Sequence, residues 1–258
     1  MTLRILIRCW LLILTFSVQA SDQQRELDYA NDLQRTISTG TVVWLMSEGQ
    51  RFLGLLTEAE RSDNRNAVLV LPDMGEHPDQ RPLIHGLRTV LPQHDWMTLA
   101  IQLPLREVGA SAEEYYGLFD QAKSRIQSAV EFLRDKGAEN IAVVGVGMGG
   151  AMALYTLNGD PNALFALVTI SLPVPDSSLP QTKIGDFMKE FALPFLDIYA
   201  EFDLPDVADT AHQRRMYSKD NPGYRQIKIN NESHAYRYNS NLAIKRIYSW
   251  LAGHLTSN

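Results

Sequence analysis

Cysteine is nearly absent. Cys9 is the only one in 258 residues, so no disulfide can form within the chain. The fold must be held by its core, which a chain of this length can supply. Positive charge is also in short supply: 24 Lys and Arg face 30 Asp and Glu, for a formal charge of −6. That balance argues against nucleic acid or an anionic membrane surface as a partner. After residue 20 no apolar run is long enough to span a bilayer. There is no internal repeat, no low-complexity tract and no linker rich in Pro, Gly or Ser. One domain is the simplest organisation.

What is present begins with a leader. Arg4 and Arg8 form a positive start, Cys9 to Phe16 a short apolar stretch, and Val18-Gln19-Ala20 a small-residue cleavage site. Residues 1–20 therefore read as a signal peptide, with Ser21 the first mature residue and a periplasmic or secreted destination. Losing Arg4 and Arg8 takes the formal charge to −8. The mature chain, residues 21–258, keeps no cysteine and no integral membrane segment.

Residues 22–37 have Leu27, Ala30 and Leu33 at helical spacing. Thr41 to Met46 and Phe52 to Leu56, joined by Ser47-Glu48-Gly49-Gln50, signal a hairpin. Apolar strand runs follow at residues 67–71, 96–103, 141–146, 164–170, 195–199 and 224–229. Helical stretches lie at 82–91, 111–136, 150–157, 207–218 and 239–254. Strands alternating with helices predict an α/β fold with a mainly parallel, eight-stranded sheet, helices on both faces and an N-terminal antiparallel hairpin. Residues 172–193, with Pro173, Pro175, Pro180 and an amphipathic stretch from Ile184 to Phe191, could form a small lid.

The sharpest local feature runs from Ile141 to Gly150 (IAVVGVGMGG). It can be read in three ways. Gly145, Gly147 and Gly150 fit the dinucleotide pattern G-x-G-x-x-G, with a pyrophosphate on the helix N-terminus. Against it, the motif is not in the first strand–helix unit, and the next strand ends in Ile170-Ser171-Leu172 without a ribose-binding acid. An exported chain also rarely meets nicotinamide, so no cofactor is expected. The second reading is a nucleophile elbow, G-x-S-x-G, with Gly147 in the serine position. Glycine adopts the strained positive-φ turn without steric cost, but it supplies no nucleophile. The third reading is close packing of a helix on a strand, which is compatible with the second.

An elbow requires an acid and then a histidine further along. Asp203 follows the strand at 195–199, and His234 follows the strand at 224–229. Asp203 would orient His234, and His234 would be the general base. The oxyanion donors would be backbone N–H groups of Gly75, after the strand at 67–71, and Met148, after the elbow. Ser171, at a neighbouring strand end, is the best substitute nucleophile. In the Gly75 loop, Asp73, Glu76, His77 and Asp79 offer metal-ligand types, but their spacing matches no template and helix capping is commoner. No metal is expected.

Across nearly its whole mature length the chain resembles the α/β-hydrolase superfamily. More closely, it resembles a family of exported Gram-negative bacterial proteins of unknown function. The residues carrying that closer likeness are Leu69 to Asp79 (LVLPDMGEHPD), Trp96 to Pro104 (WMTLAIQLP), the glycine turn and Ser233-His234. The resemblance implies the hydrolase fold and supplies no substrate. Two functions stay open. One is a binding or regulatory protein for a small-molecule or acyl ligand, without serine chemistry and with its protein partner unknown. The other is a periplasmic ester or acyl hydrolase that uses a displaced nucleophile or an activated water with His234 and Asp203.

Overall fold

The structure is a computed structural model that describes residues 21–61, 65–158 and 164–255. The leader at 1–20 lies outside the described residues. The N-terminal helix α1 (Gln23–Thr36) is capped by the Asp22 side chain. It is followed by β1 (Thr41–Ser47) and β2 (Gln50–Thr57), an antiparallel hairpin in full register from Thr41–Leu56 to Ser47–Gln50. Glu48 and Gly49 both have positive φ, as a two-residue turn matched to strand twist needs.

The remaining elements are β3 (Asn66–Leu71), α2 (Leu83–Val90), β4 (Met97–Ile101), α3 (Ala112–Tyr116), α4 (Phe119–Asp135), β5 (Asn140–Val146) and α5 (Met148–Leu157). Then come β6 (Ala166–Ile170), α6 (Ile184–Glu190), β7 (Phe195–Phe202), α7 (Pro205–Ala208), α8 (Ala211–Tyr217), β8 (Tyr224–Ser233) and α9 (Ser240–Leu255). Short 3-10 turns occupy Leu91–His94 and Pro180–Thr182. The eight strands form one sheet in the order β1-β2-β4-β3-β5-β6-β7-β8. β1, β2 and β4 pair antiparallel, and every pair from β4 to β8 is parallel.

The expected architecture is present, with two helices divided. The stretch at 111–136 breaks at Gly117 and Leu118 into α3 and α4, because Ser111 starts a separate one-turn helix with its own capping box to Glu114. The stretch at 207–218 divides into α7 and α8, with Asp209 and Thr210 between them. Within 172–193, α6 buries Ile184, Phe187 and Met188 in the main core.

Alternate side chains of the parallel strands feed two cores. Leu69, Leu71, Val143 and Leu167 join α3, α4, α5 and α6 on one face of the sheet. Val68, Val70, Val144 and Val168 join α2 and α9 on the other. α1 seals a third, smaller cluster by placing Ala30 and Leu33 on Leu53 and Leu55 of β2.

This topology fixes where a site can form. After β3 the chain turns to β4 on one side, then crosses to β5 on the other. The switch point therefore lies between the carboxyl ends of β3 and β5, where doubly wound sheets open a crevice.

Candidate active site

Five of the six strands that end at that edge, β3, β5, β6, β7 and β8, are followed by the residues of interest. Gly147 joins β5 to α5 with φ 50° and ψ −120°. Few L-residues adopt that conformation without strain, so the turn has the geometry of an elbow. Two flanking glycines make the turn fit. A Cβ on Gly145 would meet the Gly150 backbone at 2.6 Å, and one on Gly149 would collide with the Pro72 carbonyl. Close packing is thus satisfied together with the elbow.

The space above Gly147 is filled. A Cβ placed on it would overlap the carboxyl group of Asp73, from the loop after β3. Asp73 Oδ1 accepts from Met148 N at 2.7 Å and from its neighbour Met74 N at 2.7 Å. Asp73 Oδ2 bonds His234 Nε2 at 3.0 Å. An acidic group from one strand end thus stands where the side chain of another would stand, with one oxygen on two converging amides. Those amides are the donors that an oxyanion hole would use.

The loop that carries Asp73 is anchored along its length. Asp73 N donates to Glu76 Oε2 at 3.2 Å, and the Gly75 carbonyl accepts from Arg25 Nη2 at 2.8 Å and Tyr29 OH at 3.1 Å. Gly75 has φ +76°. The loop amide that reaches the carboxylate is that of Met74, one position before Gly75. Further on, Asp79 pairs with the fully buried Arg88 of α2 at 2.6 Å and with His85 at 2.8 Å. His77 Nδ1 accepts from Asp79 N at 3.1 Å. The side chains of Asp73, Glu76, His77 and Asp79 are thus engaged in hydrogen bonds and ion pairs of the loop and its neighbours, and no cluster of three metal-ligating side chains forms among the described residues.

Asp203 and His234 do meet. His234 Nδ1 lies 2.7 Å from Asp203 Oδ1. The Asp203 side chain is fully buried. It also accepts from Leu204 N at 3.0 Å, Ala200 N at 2.9 Å and Ser171 Oγ at 2.5 Å. Burial opposes its charge, but these bonds win and hold its carboxyl below the usual range. Ser171, at φ 56°, is completely buried and bonds the acid, with Tyr236 OH 3.3 Å away. Its hydroxyl supports Asp203 and does not face the imidazole.

His234 therefore sits between two carboxylates. Both are acceptors, so both ring nitrogens donate and the ring is an imidazolium. Burial works against that charge. The bonds to Asp203 and Asp73 and their negative charge outweigh it and push the pKa up to about 10. At neutral pH the ring is a cation and cannot take a proton. Glu76 responds in the opposite sense: burial, with help from the Asp73 charge, raises it to about 7.

Beside this triad is a cavity of about 170 Å³. Asp73, Glu76, Gln80, Arg81 and His234 contribute its polar side, and Leu83, Ile84 and Val146 its apolar wall. Met74, Phe202 and Leu204, which flank the two site aspartates in sequence, are exposed apolar residues.

The residue that sequence reasoning placed elsewhere is Asp73, considered there as a metal ligand or cap. The signal was the empty position itself. A glycine at an elbow leaves a void, and interiors do not tolerate voids, so a neighbouring strand end has to fill it.

Comparisons with known proteins agree with the overall fold. A family model described as "Protein of unknown function (DUF3530)" matches residues 17–117 and 112–253. No curated protein matches the chain. Among solved structures, Est1E from Butyrivibrio proteoclasticus superposes with a TM-score of 0.69 at 12% identity, covering 83% of this chain and 99% of that one. The Pyrococcus furiosus esterase Pf2001 gives 0.66 at 14% identity, covering 82% and 91%. Dienelactone hydrolase from Anabaena variabilis ATCC 29413 gives 0.66 at 20% identity, covering 83% and 96%. At these identities the likeness establishes the α/β-hydrolase fold. No helix among the described residues is long and apolar enough to cross a membrane.

Proposed function

We propose that this chain, which belongs to the DUF3530 family of proteins of unknown function, is an exported hydrolase-like protein that does not turn over esters, thioesters or amides by the serine route. Its pocket instead binds a small ligand beside the Asp73–His234–Asp203 triad. One observation carries the reading: the Asp73 carboxylate occupies the nucleophile's space and both amides that would steady an oxyanion. Acyl transfer needs a nucleophile, a base and a free oxyanion hole. Here the elbow has no side chain, the imidazole is already protonated, and the hole holds an anion. Hydrolysis by water activated on His234 meets the same obstacle, because a cationic ring is no base. Export rests on the leader-like residues 1–20.

The test is direct. The purified protein is treated with a fluorophosphonate probe and with panels of short esters, thioesters and peptides. It should remain unlabelled and turn over none of them. Stoichiometric labelling, or ester turnover lost in His234→Ala, would refute the proposal.

A further inference from the structure

The antiparallel end of the sheet carries a second cavity, of about 200 Å³, lined by none of the triad residues. Its origin is a mismatch in strand length. β4 stops at Ile101, and Pro104 cannot donate to a ladder, whereas β2 begins at Gln50. Gln102 N still reaches Leu53 O at 2.8 Å. Beyond that bond Gln50, Arg51 and Phe52 extend past β4, and the first turns of α1 cover the resulting notch with Leu27 and Ala30. We infer that this notch binds a small aromatic molecule, which enters with an uncharged N–H or O–H donor foremost. The inference does not depend on the state of the Asp73 site.

The donor is called for by Gln102, which lines the cavity and is only 1% exposed. Its Nε2 donates to Glu76 O at 3.2 Å and to Leu103 O at 2.9 Å. A flipped amide would set its oxygen against two carbonyls, so the orientation is fixed. That leaves Oε1 as a buried acceptor without a partner among the described residues. A buried acceptor with no bond costs stability, and a ligand donor in the cavity removes that cost.

A charge at the inner end of the ligand is disfavoured, because the protein charges there are already matched. Arg125 Nη2 pairs with Glu26 at 2.9 Å, Arg125 Nη1 donates to Gln102 O at 3.0 Å, and Glu26 accepts from Leu105 N at 3.2 Å. Both side chains are buried, so a ligand charge beside them would lose its water and gain no counter-ion of its own. Arg51, the other lining charge, is exposed at the mouth, with its guanidinium 4.7 Å from the centre of the Trp44 ring. Gln23 and Gln50 are exposed and uncharged. The rest of the wall is Leu27, Ala30, Trp44, Phe52 and Leu53, which suits an aromatic body. An apolar cavity of about 150 Å³ takes one benzene, so this one has room for a fused two-ring molecule. Trp44 and Leu27 are 36% and 41% exposed, so the cavity can be entered from their side without unfolding.

The experiment uses the whole protein, with indole as the probe and benzothiophene, which has the same shape and no N–H donor, as its control. NMR signals of the Leu27, Ala30 and Leu53 methyls should shift saturably with indole, with a Kd on the order of 0.1–1 mM. Those of Leu83, Ile84 and Val146, in the cavity beside the triad, should stay still. Benzothiophene is the more apolar of the two, yet it should bind no more tightly. A crystal of the indole complex should place the ring nitrogen within hydrogen-bond reach of Gln102 Oε1. Leu27→Glu and Trp44→Ala change exposed positions, so both should fold, as checked by thermal melting. Each should weaken indole binding by at least about tenfold. If either variant does not fold, the methyl shifts and the crystal of the wild type still decide. Absence of a saturable shift up to the solubility limit of indole would overturn the inference. So would shifts confined to the cavity beside the triad, or tighter binding of benzothiophene. None of these results alters the fluorophosphonate test, so the two readings stand or fall separately.

Discussion

The Asp73 carboxylate lies where a side chain on Gly147 would lie, although the two residues follow different strands. The site's electrostatics follow from that substitution of one element by another. A serine at the elbow would place a neutral hydroxyl against His234. Asp73 places a charge there, and the histidine becomes the centre of an ion triad.

Removing that charge should be visible on His234. Asp73→Asn keeps the shape but takes away one of the two carboxylates that hold the ring protonated. The His234 pKa should fall from about 10 toward its ordinary value of 6.5, read by NMR titration of the ring. An amide nitrogen also faces the donors of Met74 or His234, so stability should drop by about 1–3 kcal/mol.

Restoring the serine alone should fail. Gly147→Ser puts its Cβ into the Asp73 carboxyl group at a φ that disfavours side chains. We expect a loss of about 1–3 kcal/mol in chemical denaturation, and no ester hydrolysis. Gly147→Ser with Asp73→Gly empties the collision and frees both amides. The double variant should recover much of that stability and become reactive to fluorophosphonate. If the single variant alone hydrolyses esters, the account of the blocked hole is wrong.

The pH dependence of stability has a definite sign. The folded-state pKa of His234 is raised above its ordinary value, so its contribution is complete below about 6.5 and is lost as pH rises through about 10. The stability gap between wild type and His234→Gln should therefore narrow between pH 7 and 10. Asp203, shifted down, contributes above its ordinary value of 3.8, and that contribution disappears on acidification. Denaturant midpoints across both ranges test the pair.

Glu76 should behave as an internal cost. Its pKa rises from 4.5 to about 7, so ionising it above neutrality opposes folding. Glu76→Gln keeps an acceptor for Asp73 N and cannot ionise. The variant should match wild type near pH 4.5 and exceed it at pH 8 by on the order of 1–3 kcal/mol, measured by thermal or denaturant unfolding.

Much of this was legible before any coordinates. The buried strands announce themselves as unbroken apolar runs such as Ala67 to Leu71, because parallel strands are covered on both faces. The order of Gly147, Asp203 and His234 was legible because each follows a strand that ends at the same edge. The division of α3 from α4 was not, since Gly117 inside a helical pattern reads as a tolerated defect. Asp73 was the larger omission. Its partner amide on Met148 is 75 positions away, and only the β3–β5 pairing brings the two together. Ser171 suffered the converse error of emphasis: its strand-end position is favourable, but its hydroxyl is committed to Asp203.

Arg25 deserves a last consequence. Through the Gly75 carbonyl it ties the loop of Asp73 to the first helix, while His234 arrives just after the last strand, 161 positions after Asp73. A chain emerging from its amino end builds the carboxylate's mount early and must wait for nearly the whole sequence before the imidazole can dock. Until then the aspartate has its amides but no counter-charge. The raised pKa of His234 therefore depends on the whole sheet being assembled, and a ring that titrates normally would mark a chain in which β8 has not docked.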